Sequence, residues 1–341
     1  MMRPLSDAEH EQFRTAGFVM LRQLFDPAEM DRIGGAVDAV LAADRGQRYR
    51  LANDGIEYDT ENLPVHGTPS MGLERYRALA GESAAEVELR VELMSTRTSA
   101  GFVAERSQPL GETLVAGEKV WPMMAQLLGR DFIFTGSEVM CGSWNSWRGQ
   151  SWHSDRGMVN GGSDPDELVW TRAKFLMYTS ETRASAGALR LIPASHRAPL
   201  HGELTRMIQS PDFDERTAHG ELLPLLANES AAVASDILEQ QRQRLAENKL
   251  PWALCFESQP GDCLVFNHCL MHAVYNKPRE RAFVASKFAQ RPKDATQLQL
   301  YSSYFKIDAD ALATSPNARL RELAEREREL VARSASASSR L

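Results

Sequence analysis

Apolar and polar positions along this chain follow two periods, and the change between them falls near residue 132. Before it the spacing is helical. Ser6-Asp7-Ala8-Glu9 has the form of a capping box, which predicts a helix to about residue 16 followed by a strand over 17–22. Asp26-Pro27-Ala28-Glu29 opens a second amphipathic helix to about residue 43. Residues 46–70, rich in Gly, Asp, Asn and Pro, read as an irregular loop, and 85–98 and 111–128 as helices outside a sheet. From 132 onward short strands are expected at 132–141, 150–155, 168–178, 188–193, 253–258, 263–276 and 281–290. Residues 199–249 break that rhythm with a loop and a helical stretch, an insertion that suits either a lid or a surface excursion. Leu312, Leu320, Leu323 and Leu330 predict a terminal helix, with a frayed tail from Ser334.

Many short strands separated by turns argue for a mainly β protein with helical additions, built as a double-sheet jelly roll. The expected organisation is one domain over 1–308, with a helical region at 1–130 and a β core at 131–308 carrying an insertion at about 199–250. Residues 309–341 follow as a helix and tail. A chain of 341 residues, 43% hydrophobic and 25% charged, can bury such a core. Its net charge of −7 and the lack of a dense Lys/Arg cluster argue against a nucleic-acid partner. Cys141, Cys255, Cys263 and Cys269 form no Cys-x-x-Cys pair, which suits reduced thiols. No apolar signal core and no bilayer-length run is seen, so no membrane partner and a cytoplasmic location are expected.

The chemistry concentrates in Trp152-His153-Ser154-Asp155. On a strand, positions i and i+2 leave the same face, so His153 and Asp155 can converge on one ion while Ser154 points away. A third ligand is offered by the run from Gly261-Asp262 to His272, read as a turn and a buried strand. Two imidazoles and one carboxylate form a facial triad that leaves the opposite side of a metal ion open, as an oxygen-activating ferrous enzyme requires. His-x-Asp strings also occur by chance, so the weight falls on its company.

That company resembles the phytanoyl-CoA dioxygenase family of iron(II)- and 2-oxoglutarate-dependent oxygenases. Trp152-His153-Ser154-Asp155 is similar to the metal string of its ectoine-hydroxylase members. Phe13 to Leu21, Gly187 to His196, and Gly261-Asp262 through His272, Asn276 and Arg281 match further blocks in order. The resemblance covers most of residues 6–290 and is weak across about 45–130 and 200–250. It implies a double-stranded β-helix (cupin-like) core, His153, Asp155 and His272 as ligands of Fe(II), and Arg281 as the holder of the distal carboxylate of 2-oxoglutarate. O₂ would be the second co-substrate, a small-molecule metabolite the substrate, and succinate and CO₂ products beside a hydroxylated C–H bond. In related halogenases the carboxylate position is small, so Asp155 favours hydroxylation, with desaturation or ring formation using the same ligands.

A planar guanidinium grips a carboxylate by two parallel hydrogen bonds, which agrees with the role implied for Arg281. Arg279 has the same strand parity but falls in the Lys277-Pro278-Arg279-Glu280 turn. Lys174 is a second candidate for the co-substrate. His268 lies four residues before His272 and would share its strand face, but the family spacing selects His272 and leaves His268 as a supporting histidine. Ala194 stands where the family has a glycine, and His196 is expected to shape that turn. Trp144, Trp147 and Trp152, with Trp170 further on, could form an aromatic wall for substrate or fill the core. Arg148 and Arg156 could hold an anionic group or be solvated. Pairing of two copies into a homodimer is admitted. Two other classes stay open at this point: a non-catalytic sensor of metal or 2-oxoglutarate, and a zinc hydrolase that would have no use for Arg281.

Overall fold

The computed structural model describes residues 5–45, 50–53, 56–59, 98–101, 103–141, 150–155, 170–213, 218, 220–222, 236–277, 281–302 and 307–338. In chain order its elements are α1 (Asp7–Ala16), β1 (Phe18–Leu21), α2 (Pro27–Arg45), β2 (Arg50–Asn53), β3 (Ile56–Asp59), β4 (Thr98–Gly101), α3 (Val103–Arg106), α4 (Gln108–Leu114) and α5 (Trp121–Leu128). There follow β5 (Ile133–Cys141), β6 (Gln150–His153), β7 (Arg172–Tyr178), β8 (Leu189–Leu191), α6 (Ala198–Ile208), α7 (Ile237–Ala246), β9 (Leu254–Phe256), β10 (Cys263–Asn267), β11 (His272–Val274) and β12 (Ala282–Ala289). The chain closes with α8 (Ala295–Ser302), α9 (Ala309–Ala313) and α10 (Ala318–Ser338).

The strands form two antiparallel sheets, and the larger one takes in β1 and β4 from the region expected to be helical. One has strand order β1-β10-β7-β12-β5-β4 and the other β6-β11-β8-β9; β2 and β3 pair separately within the stretch read as a loop. Side-chain alternation sorts the sheets into layers. Met20, Leu176, Tyr178, Leu264, Phe266 and Ala285 from the larger sheet meet Leu189, Leu191, Leu254, Phe256 and Val274 from the smaller in one buried cluster. The neighbours one residue away, such as Val265, Phe175 and Val284, face outward and pack under α2, α4, α5 and α10. Outward-facing Trp152 and Ala273 of the smaller sheet, with Ala253 just before β9, are covered by α6 and α7 through Leu200, Leu204 and Ile237. The described helices of the 199–249 insertion therefore bury their apolar faces on the outside of that sheet.

Local chemistry explains the boundaries. The capping box at Ser6 forms as expected, the Ser6 hydroxyl accepting from Glu9 N and the Glu9 carboxylate from Ser6 N, and α1 ends on left-handed Gly17. Asp26 and Glu29 make the same exchange at α2, at 2.8 Å in each direction. The single helix expected over 111–128 is two, because Pro109 and Pro122 each occupy a first-turn position where no N–H is needed. Of the expected helix at 85–98, only Thr98 is described, and it starts β4. The strand expected over 263–276 breaks after Asn267, whose side chain accepts from Cys269 N at 2.9 Å while its carbonyl accepts from Leu270 N at 2.9 Å. That turn carries the chain from the larger sheet to the smaller. None of the four cysteines is in a disulfide, and no helix among the described residues is long and apolar enough to cross a membrane.

The Gly261-Asp262 turn is tied down from both sides. Asp262 accepts from Gln23 N, Gln259 N and the Arg22 guanidinium at 2.8, 3.0 and 2.9 Å. Burial would raise its carboxyl, but those donors outweigh burial and hold it below the usual range. Gly261 has φ 98°, and a methyl added there would run into the Phe25 carbonyl oxygen. Gly261→Ala should therefore cost at least about 2 kcal/mol, the left-handed penalty plus backbone displacement, read as a lower urea midpoint at unchanged slope.

Glu105 is half-buried beneath β5, with the Ser137 hydroxyl 3.2 Å from Oε2 and, among the described residues, no partner on its buried Oε1. Burial pushes its carboxyl up to about 7. Between its unfolded value and about 7 the folded state holds the extra proton, so its share of stability falls as pH rises through that window. Glu105→Gln should flatten the loss: a thermal melt series from pH 5 to about 8 should show wild type declining more steeply than the variant.

Candidate metal centre

Strand pairing assembles the site. β6 and β11 are antiparallel neighbours with His153 opposite His272, which sets the imidazoles side by side, ring centroids 4.2 Å apart. Each ring is oriented by the same local device: His153 Nδ1 donates to Ser151 O at 2.7 Å, and His272 Nδ1 to Leu270 O at 2.9 Å. A proton fixed on Nδ1 leaves the lone pair on Nε2. Asp155 completes the group, and one ligand atom from each of His153, Asp155 and His272 lies within 4.8 Å of the others.

Asp155 reaches that point differently from the expectation. β6 ends at His153, and Asp155 sits in the turn beyond it, its N–H donating to His268 O at 3.2 Å. The chelate is made by a strand end and a turn, not by one strand face. His268 is also off the strand, in the corner before β11, where its backbone N–H bonds Arg172 O at 3.1 Å. It braces the Asp155 turn through its carbonyl. Its ring is buried and neither ring nitrogen has a hydrogen-bond partner among the described residues.

Charge states suit a divalent cation. Burial, and then the neighbouring His272, pulls His153 down to about 3, and burial also lowers His272 and His268, so all three rings are neutral. For Asp155 burial acts upward, but the Lys174 ammonium outweighs it and holds the carboxyl well below the usual range. Neutral imidazoles and an ionised carboxylate are the forms a metal needs. The donor set thus fits a divalent first-row ion with one side open.

Beyond the triad the inner face of the larger sheet is charged. Lys174 on β7 lies 3.2 Å from Asp155 Oδ2 and 3.0 Å from Glu138 Oε1, and Lys287 lies 2.8 Å from Glu138 Oε2. Arg281, just before β12, is 4% exposed; its Nη2 donates to Tyr178 Oη at 2.6 Å and its guanidinium packs over that ring at 4.3 Å. Among the described residues it has no carboxylate partner, its Nε has no acceptor, and burial lowers its pKa. The Phe283 ring lies 5.8 Å from both Lys174 Nζ and the Arg281 guanidinium carbon, and the Phe266 ring lies 5.2 Å from the His272 ring and 5.9 Å from Lys174 Nζ. Triad, Lys174 and Arg281 thus line one interior.

The other candidates separate. Trp152 is fully buried on the outer face of the smaller sheet, its indole N–H donating to Ala218 O at 2.7 Å. It is core, not a substrate wall, since alternation sends it away from the face that carries His153. Trp170 packs edge-on against Tyr301 and donates to Gln290 O at 2.9 Å. Trp144, Trp147, Arg148, Arg156 and Arg279 lie outside the described residues. Ala194 takes the left-handed conformation at φ 64°, where the family glycine would sit without strain, and His196 Nε2 lies 3.3 Å from Arg14 O beside that turn. Glu138 and Tyr178 were not among the expected site residues. Glu138 was detectable only as a charge within an otherwise uncharged strand.

The sequence matches the phytanoyl-CoA dioxygenase (PhyH) family over residues 13–276, and the chain belongs to that family of iron(II)- and 2-oxoglutarate-dependent oxygenases. It is accordingly a dioxygenase by class. Among solved structures it is similar to EctD from S. alaskensis with bound Fe, at 16% identity and TM-score 0.49, covering 86% of this chain and 80% of that one. It is also similar to the non-heme alpha ketoglutarate dependent epimerase SnoN from nogalamycin biosynthesis, at 11% identity and TM-score 0.46 over 83% and 80% of the two chains. AviO1 from Streptomyces viridochromogenes Tue57 aligns at 12% identity and TM-score 0.44 over 86% and 99%. No curated protein matches the sequence.

Proposed function

We propose that this chain uses Fe(II), 2-oxoglutarate and O₂ to hydroxylate an unactivated C–H bond of a small-molecule metabolite, on a double-stranded β-helix core, with succinate and CO₂ as co-products. The observation that carries this reading is Arg281: a buried guanidinium, without a carboxylate among the described residues, in the same interior as an open two-histidine, one-carboxylate group. Burying an unpaired cation costs several kcal/mol, which an anionic co-substrate would offset. Bound at His153, Asp155 and His272, ferrous iron would supply the redox chemistry that couples decarboxylation of a 2-oxo acid to oxidation of a C–H bond.

The chain's own groups do the rest. His153 and His272 present Nε2, fixed by their Nδ1 bonds to backbone carbonyls. Asp155 presents an ionised oxygen. Arg281, oriented by the Tyr178 hydroxyl, would hold the far carboxylate of 2-oxoglutarate by paired N–H donors. Phe256, Phe266 and Phe283 help exclude water from that interior, which protects the pocket from unproductive oxidation. Asp155, in place of a small residue, favours hydroxylation over halogenation.

Incubating the iron-loaded protein with 2-oxoglutarate, oxygen-18 gas and a fractionated metabolite extract tests the reaction type. The expected product is one metabolite that gains a single labelled oxygen atom, seen by mass spectrometry. Loss of two hydrogens without oxygen gain would replace hydroxylation by desaturation or ring closure, and no iron-dependent change in any fraction would oppose the reading.

A further inference from the structure

The buried ammonium of Lys174 is not explained by the ligand set. It projects from β7 into the interior between the sheets, next to apolar Leu176 and Tyr178 on the same face. Its cross-strand neighbour on β12 is Lys287. Two like charges opposite each other on adjacent strands destabilise a sheet. Glu138, from β5 on the other side of β12, resolves that conflict by giving Oε1 to Lys174 and Oε2 to Lys287. Lys287 alone would neutralise Glu138, so the carboxylate does not require Lys174. A packed hydrophobe at 174 would cost less to bury than an ammonium.

The second contact of Lys174 supplies a reason. Asp155 divides its two oxygens: Oδ1 lies 3.7 Å from His272 Nε2, on the side where the ligand atoms converge, while Oδ2 lies 3.2 Å from Lys174 Nζ. A carboxylate can bind a metal through one oxygen or two, and the second oxygen occupies a coordination position. In an octahedral site with three protein ligands, a two-oxygen aspartate leaves too few positions for a chelating keto acid and O₂ together. We propose that Lys174 is a positioning residue that engages Oδ2 of Asp155, keeps this carboxylate a one-oxygen ligand, and so preserves the open coordination positions that a chelating 2-oxoglutarate and O₂ need together. Glu138, anchored by Lys287, holds the ammonium at the distance at which it restrains Oδ2 without displacing the metal. This assignment rests on the functional reading above and gives Lys174 a task distinct from direct contact with the co-substrate.

Co²⁺, which does not turn over the co-substrate, tests it. Titrations of the full chain with Co²⁺, then of the Co²⁺-loaded protein with 2-oxoglutarate, are run on wild type, Lys174→Met, Lys174→Arg and Glu138→Gln. Lys174→Met loses a repelling cation and frees Oδ2, so it should bind Co²⁺ about fivefold more tightly yet 2-oxoglutarate at least about tenfold more weakly, within the range of outer-shell effects. The ligand-field absorption of Co²⁺ alone should change in that variant before any 2-oxoglutarate is added, and Lys174→Arg should restore both orders. In Glu138→Gln the ammonium leans on Asp155 alone, so Co²⁺ affinity should move the other way, weakening several-fold.

Unchanged Co²⁺ absorption and affinity in Lys174→Met, or equal weakening of both ligands, would overturn the proposal. Should Lys174→Met not fold, an unchanged Co²⁺ affinity in Glu138→Gln would overturn it instead. A wild-type protein that takes up neither Co²⁺ nor 2-oxoglutarate would sink the functional reading itself, whereas wild-type uptake with an indifferent Lys174→Met sinks only the role of Lys174.

Discussion

Replacing His272 by alanine should lower 2-oxoglutarate turnover by more than about a hundredfold, since losing even an outer partner of a metal ligand costs that order and His272 would be a ligand itself. The effect should be local. His272 pairs with His153 across β6 and β11, and its backbone remains in register with Leu191 on β8 whatever the side chain. Removing a neutral, buried imidazole also leaves no unpaired charge, so the thermal midpoint of metal-free protein should move little compared with turnover. His268→Ala is the contrast. That ring is not in the group of three, and its bracing of Asp155 runs through the backbone carbonyl, which alanine keeps. A hundredfold loss in His268→Ala with His272→Ala retaining turnover would exchange the roles of the two histidines. The comparison needs only steady-state succinate formation at saturating iron.

The second large effect is expected at Arg281. Arg281→Met should raise the KM for 2-oxoglutarate by about a hundredfold, the consequence of losing a buried charge partner worth about 2–5 kcal/mol. Arg281→Lys should fall between, because a point ammonium cannot make the paired contact. The same substitution should stabilise the protein without ligand. In the free state the guanidinium is buried with the Tyr178 hydroxyl as its hydrogen-bond acceptor, and methionine removes that desolvated charge. Wild type should therefore gain thermal stability on adding 2-oxoglutarate with a redox-inert metal, and Arg281→Met should start higher and gain little. A variant that melts lower and keeps its KM would show Arg281 to be a structural residue.

The three candidate ligands were legible because each sits in a local pattern: a histidine and an aspartate two apart, a Gly-Asp turn, a histidine at the start of a buried strand. The sequence did not reveal how they are held. Asp155 lies beyond the end of β6, and the apparent strand 263–276 turns a corner because the Asn267 side chain captures Cys269 N. Hydrophobic alternation continues through that corner, so periodicity alone joins two strands that belong to different sheets. Trp152 shows the reverse case. Alternation already required it to face away from His153, and treating the tryptophans as a group concealed that requirement. The Glu138, Lys174 and Lys287 chain depends on the register of β5, β7 and β12, strands far apart in sequence. One charge in β5, one in β12 and a second charge two residues after Arg172 in β7 were the only local trace of it.

The central claim is most directly tested by succinate formation from 2-oxoglutarate. Protein purified without oxygen is given Fe(II), 2-oxoglutarate and O₂, with and without a metabolite pool, alongside Asp155→Ala. The account predicts iron-dependent succinate release that rises with some fraction of the pool and is lost in the variant. Bound metal with no succinate under any of these conditions, or equal release from Asp155→Ala, would contradict it.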